Sequence, residues 1–246
     1  MRTSNPAFAS ETIYADWAAA DRRGAVMTVQ GTALKTLLLL LILTATAGWS
    51  WSQASLGAIN GPLVLGSAVV GFVVALLTIF RPTLAPYTSP LYAAAEGVFL
   101  GAFSNLINQR YPGIAVQAVG LTLATLFCML VVYGTGLVRV TDRLRTGIIA
   151  ATGAVALVYL VTLVLGLFGA RVPYIHDAGP IGIAFSLFVV GLAAFNLLLD
   201  FDFIERGARG EAPKYLEWYG AFGLMVTLIW LYLEILRLLR KIQDRR

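Results

Sequence analysis

Seven long apolar stretches constrain this chain more than any other feature: residues 32–52, 61–80, 91–107, 114–138, 147–168, 181–199 and 216–239. The hydrocarbon core of a bilayer is about 30 Å thick, and a helix rising about 1.5 Å per residue crosses it in roughly 20 apolar residues, with about 17 to 25 tolerated. Every stretch falls in that range. Lipid offers no partner to a backbone amide, so each stretch must satisfy its own as a helix. Composition agrees, because a chain 59% hydrophobic and only 13% charged cannot clothe a water-soluble surface. The expected fold is therefore all-α: a polytopic membrane protein with a polar tail at 1–31, a seven-helix transmembrane domain at 32–239 and a basic tail at 240–246.

The connections between stretches are short and carry turn formers: Arg81-Pro82 followed by Pro86 and Pro90, Tyr111-Pro112-Gly113, Pro173, Gly179-Pro180, and residues 207–213. Residues 1–31 hold Glu11, Asp16, Asp21, Arg22 and Arg23 and separate the first apolar stretch too far from Met1 for an ordinary secretory signal. Gly97 and Gly101 make a small-xxx-small face suited to close helix contact. Cys128 is the single cysteine, which excludes an intrachain disulfide and predicts only core packing.

The net charge of +5 does not point to nucleic acid, since the basic residues form short clusters between apolar runs instead of a stripe with interleaved aromatics. They read as membrane-flanking charge. With a cytoplasmic amino end, Arg2, Arg22, Arg23, Lys35, Arg81, Arg139, Arg143, Arg145, Arg206, Arg209 and Lys214 lie on the cytoplasmic side, eleven against seven opposite. Arg237, Arg240, Lys241, Arg245 and Arg246 run against that count, because seven crossings carry the carboxyl end outside. Either the last span does not cross fully or the earlier helices set the topology.

An acid inside a span costs about 2.5–3.5 kcal/mol on insertion scales, so such residues are functional candidates by default. Glu96 stands nearly midway between Arg81 and Arg110 with no other charge in between. Asp200 closes the sixth run without a cation at i+3 or i+4, and Asn196 lies one turn earlier on the same face. Asp202 and Glu205 have Arg206 and Arg209 four residues on, the pattern of a solvated helix end. Glu234 follows sixteen uncharged residues, yet Arg237 is within one turn; a functional acid and a local ion pair both fit. Glu217 opens the last stretch, where the helix dipole favours an acid.

Three runs carry a resemblance: Tyr92-Ala93-Ala94-Ala95-Glu96-Gly97-Val98-Phe99-Leu100-Gly101; Leu198-Leu199-Asp200 with Ile204 four residues on; and Leu233-Glu234-Ile235-Leu236-Arg237-Leu238-Leu239. Together they resemble the Bax inhibitor-1 (TMBIM, YccA-like) family over approximately 31–241, and the segment from Glu217 through Leu239 looks like its bacterial branch. The resemblance implies a seven-helix bundle whose last helix is ringed by two groups of three, and a pH-sensitive calcium leak in a bacterial cytoplasmic membrane. It also implies two aspartates, on the sixth and seventh helices, that share a proton and control opening. Asp200 matches the first. Counting back from Arg237, the second falls on Thr227, which cannot titrate; Glu234, on the same helical face, or Asp202 is left to supply the missing carboxylate. Arg81 is the candidate charge partner of these acids.

The expected function is a cation leak gated by protonation of buried carboxylates at Glu96, Asp200 and Glu234, with calcium as the transported ion, no bound cofactor, and only weak calcium contact at Asp200. Two competitors use the same architecture: an interaction protein that restrains other membrane proteins, such as a membrane-bound quality-control protease, and a proton-coupled transporter, which intramembrane acids serve equally well. Catalysis is disfavoured. His176, the only histidine, lies in a Pro-containing loop beside Asp177, and the sequence has neither an HExxH helix nor a GxSxG elbow.

Overall fold

The computed structural model describes residues 26–59, 61–169 and 179–245. Among them it holds seven helices: α1 (Val29–Ser55), α2 (Gly61–Phe80), α3 (Ala85–Arg110), α4 (Ile114–Gly134), α5 (Asp142–Leu167), α6 (Pro180–Arg209) and α7 (Leu216–Gln243). Residues 1–25 of the expected tail, and His176 and Asp177 of the fifth connection, lie outside the described residues.

All seven apolar stretches became helices, but their ends moved. The expected tail gives way to α1 three residues early, because the Thr28 side chain caps the helix by accepting from the Gly31 amide. Residues 81–90 are not the connection their three prolines suggest: a 3-10 turn (Pro82–Leu84) leads straight into α3, with Pro86 in the first turn and Pro90 inside the helix. First-turn amides have no helical partner in any case, so Pro86 removes nothing and Pro90 removes only one bond. Arg110 ends α3 before Pro112, and Gly113 takes φ +86° to redirect the chain into α4. At the other end of the chain α7 runs through the start of the expected basic tail to Gln243.

Six of the seven helices are both long and apolar enough to cross a membrane, one fewer than expected. The exception is α3, long enough at 26 residues but carrying Ser89, Glu96, Ser104, Asn105, Asn108 and Gln109. Its small residues face protein: Ala93, Ala95, Gly97, Gly101 and Ala102 are all buried. By contrast α2 and α4 present Leu65, Phe72, Val116 and Phe127 outward, as helices in an apolar solvent do. Cys128 faces outward with them, not into a core as expected, since lipid accepts a thiol as readily as packed side chains do. The last helix is the most enclosed of the six, two thirds of its apolar window being buried against 17% for α1.

The chain divides into two compact units, and both α6 and α7 contribute to each. Of the described residues, the first holds those between 26 and 112 and those from 200 to 226. In it α3 packs on α1 and α2. A Cβ added at Gly97 would strike the Thr46 hydroxyl, and one at Gly101 would overlap the Ala47 backbone, so this glycine face is a real helix contact. Ser50 donates to the Val98 carbonyl at 2.6 Å, and Asn105 donates to Ser55 at 2.7 Å along the same seam. The second unit, the described residues between 113 and 199 and from 227 to 245, has a core of Ile148, Val155, Val189, Leu192 and Leu199, with Tyr159, Phe185 and Trp230 against it.

Candidate functional site

In the first unit α3 holds Glu96 half-buried, its carboxylate laid against α2 where Gly71 provides space. A Cβ at Gly71 would sit 2.8 Å from Glu96 Oε1, so a side chain there would push the carboxylate aside. One turn before it, Tyr92 is buried edge-on to Phe222, with ring centroids 5.1 Å apart. Among the described residues Glu96 makes no ion pair.

Asp200, on α6, is wholly buried. Ile204, one turn further along α6, packs on Gly220 of α7, its Cγ1 3.2 Å from where a Cβ would stand. Asp202 and Glu205 behave as local pairs: Arg206 Nε is 2.9 Å from Asp202 Oδ1, and an Arg209 guanidinium nitrogen is 2.5 Å from Glu205 Oε1. Arg81, the candidate charge partner, is exposed and pairs with no acid among the described residues.

Sequence reasoning missed the densest polar cluster of this unit. Glu217 opens α7 as an acid in the first turn, yet it is fully buried and serves as a hub. Its Oε1 accepts from the Thr28 amide and the Thr28 hydroxyl at 2.9 Å each and lies 3.0 Å from Lys214 Nζ, while Oε2 pairs with Lys35. A buried carboxylate demands such saturation, because a bare one would remain desolvated without compensation. Gly31 makes the arrangement fit, since any side chain there would enter the carboxylate. Only Lys214, at i−3, was visible as a local partner; Lys35 and Thr28 are 182 and 189 residues away.

In the second unit Glu234 is also buried, and here the local ion pair is present. Arg237 reaches back one turn to both carboxylate oxygens at 2.8 and 3.0 Å, and Tyr159 of α5 donates to the same oxygens at 3.0 and 3.1 Å. The guanidinium lies 4.8 Å from the Tyr159 ring centre, closing a three-residue clamp between α5 and α7. Thr227 is buried on α7. Asn196 donates to Thr152 at 2.9 Å, joining α6 to α5. Lys241, almost wholly buried, donates to the Gly182 carbonyl and the Ser186 hydroxyl at 2.9 Å each.

The structure thus gives the candidate acids different settings. Glu96 and Asp200 belong to the first unit, whereas Glu234 belongs to the second and has its charge offset by Arg237. Among the described residues no group of three His, Cys, Asp or Glu side chains gathers as a metal site.

A family model described as Bax inhibitor 1 like matches residues 5–244 of this chain. No curated protein and no solved structure matches it.

Proposed function

Because the chain belongs to the Bax inhibitor 1 like family, we propose that it is a pH-sensitive cation leak, with calcium as the transported ion, in which the protonation state of Asp200 sets conduction. The observation that carries this reading is the complete burial of the Asp200 carboxyl on a helix long and apolar enough to span a membrane. A carboxyl in that position is costly to keep and is retained where it does work on ions or protons. Its anionic form attracts a cation and its neutral form does not, so conduction follows its titration.

Glu96 is the second acid of the pathway. It too lies within a helix of the bundle, and the glycine that makes room for it leaves its carboxylate one side without a bulky neighbour. Glu234, held by Arg237 and Tyr159, serves as an anchor between α5 and α7 in place of a gate. Calcium favours about six to eight oxygen ligands. A pathway that offers carboxylates singly, with carbonyls and water completing the shell, holds the ion weakly and suits passage more than storage. The Lys and Arg distribution supports an amino end on the cytoplasmic side of the membrane.

The test is calcium flux into dye-loaded liposomes across the neutral pH range. Wild type should conduct with a pH-dependent rate, Asp200→Asn should flatten that dependence, and Glu96→Gln should lower the rate while leaving a pH response. A flat profile in wild type, or an Asp200→Asn protein that keeps the wild-type profile, refutes the proposal. The second of these outcomes favours an interaction protein instead.

A further inference from the structure

Residues 26–28 are joined to the α6–α7 turn by three different kinds of contact. Val26 forms an isolated antiparallel bridge with Pro213, and the Met27 amide donates to the Ala212 carbonyl at 2.7 Å. The Met27 side chain is 1% exposed and lies against two glycines. A Cβ at Gly207 of α6 would stand 2.7 Å from Met27 Sδ, and one at Gly220 of α7 would stand 3.5 Å from Met27 Cε. Finally the Thr28 amide and hydroxyl both donate to Glu217.

None of these contacts is needed to make a helix. Thr28 caps α1 through its own side chain, and residues 26 and 27 precede the helix altogether. They belong to no sheet, so their release would disturb no repeating hydrogen-bond ladder. Methionine is flexible and polarizable, a side chain that can enter and leave a socket beside two glycines with little rearrangement. The socket also borders the candidate gate: Ile204, one turn from Asp200, shares the Gly220 surface with Met27.

We propose that residues 26–28 are a strap, seated by Met27 in the Gly207–Gly220 socket and clipped by Glu217, whose lifting frees the α6 segment carrying Asp200 and raises conduction. The regulatory half rests on the cation-leak reading; the strap itself does not. Seated, the strap pins the end of α6 to the start of α7 through one side chain that touches both. Lifted, it empties the socket against which Ile204 packs, and α6 gains freedom one turn from the acid. Small movements at such a packed contact pass into discrete rearrangements because close-packed interfaces do not deform gradually.

The experiment uses the full chain in liposomes with Cys128→Ser, so that the cysteine pair Val26→Cys and Pro213→Cys is alone. Opposed residues of an antiparallel bridge have Cα atoms about 4.5–5.5 Å apart, within the roughly 4.4–6.8 Å a disulfide spans. Calcium flux should fall to the empty-liposome background on oxidation and return on reduction, and Met27→Ala should raise flux without any cross-link. In parallel, Glu217→Gln should speed hydrogen exchange of the Met27 amide by at least about tenfold, as loss of charge-assisted hydrogen bonds to Thr28 implies. Equal flux from oxidised and reduced protein overturns the regulatory role. Unchanged Met27 exchange in Glu217→Gln overturns the strap. Should wild type pass no calcium, the leak reading falls and the regulatory role falls with it, while the exchange comparison still decides whether the strap is releasable.

Discussion

Replacing Gly101 by alanine should destabilise the protein although alanine is the better helix former. A Cβ at residue 101 would lie 2.9 Å from both Cα and the carbonyl carbon of Ala47, with the carbonyl oxygen closer still, whereas ordinary contact begins near 3.4 Å. The obstacle is backbone, which cannot rotate aside, so α1 and α3 must part by at least about 0.5 Å, and one turn away a Cβ at Gly97 would stand only 2.5 Å from the Leu43 carbonyl oxygen. Overpacking of this kind costs about 1–3 kcal/mol. Parting the seam also stretches the Ser50–Val98 and Asn105–Ser55 hydrogen bonds, worth about 0.6 kcal/mol each inside a membrane protein. Gains from helix propensity return only about 0.5–1 kcal/mol. The net loss is about 1–3 kcal/mol, a fall of roughly 2–12 °C in melting temperature at this chain length. Thermal unfolding in detergent, followed by tryptophan fluorescence, measures it. Gly120→Ala on α4 is the control, because nothing stands within 4 Å of its added methyl, and it should melt at or slightly above wild type. If Gly101→Ala melts as high as Gly120→Ala, the close approach of α1 and α3 does not stabilise the fold and the reasoning fails.

The clamp of the second unit should show the asymmetry of buried ion pairs. Arg237→Ala strands the Glu234 carboxylate and should cost toward the low end of about 3–5 kcal/mol, because the guanidinium is itself a third exposed. Tyr159→Phe should cost only about 1–2 kcal/mol; equal losses in unfolding midpoint would show that stranding the Glu234 charge costs no more than losing one hydrogen bond to it. Glu205→Gln, by contrast, removes a pair whose arginine is 76% exposed and should change the midpoint by less than about 0.5 kcal/mol, a larger shift meaning that this helix end is not solvated as read.

What the amino-acid order determined by itself is whatever depends on neighbours in the chain. Lipid compels a helix wherever about twenty apolar residues run together, so all seven helices were legible although their ends were not. The pairs Asp202–Arg206, Glu205–Arg209 and Glu234–Arg237 were equally legible, because the helical repeat brings residues three and four apart together wherever a helix forms. So was the glycine face at Gly97 and Gly101, though not the helix it would meet. Tertiary structure decided the rest. It seated Glu96 against Gly71, made Glu217 the hub of Thr28, Lys35 and Lys214, and carried Tyr159 to a carboxylate 75 residues away. It also turned three prolines into the opening of α3 and let that helix stay polar, since what surrounds it is largely protein. No periodicity encodes such partners: a side chain's own helix specifies the direction it faces, but the group it meets there is specified only when two distant faces pack.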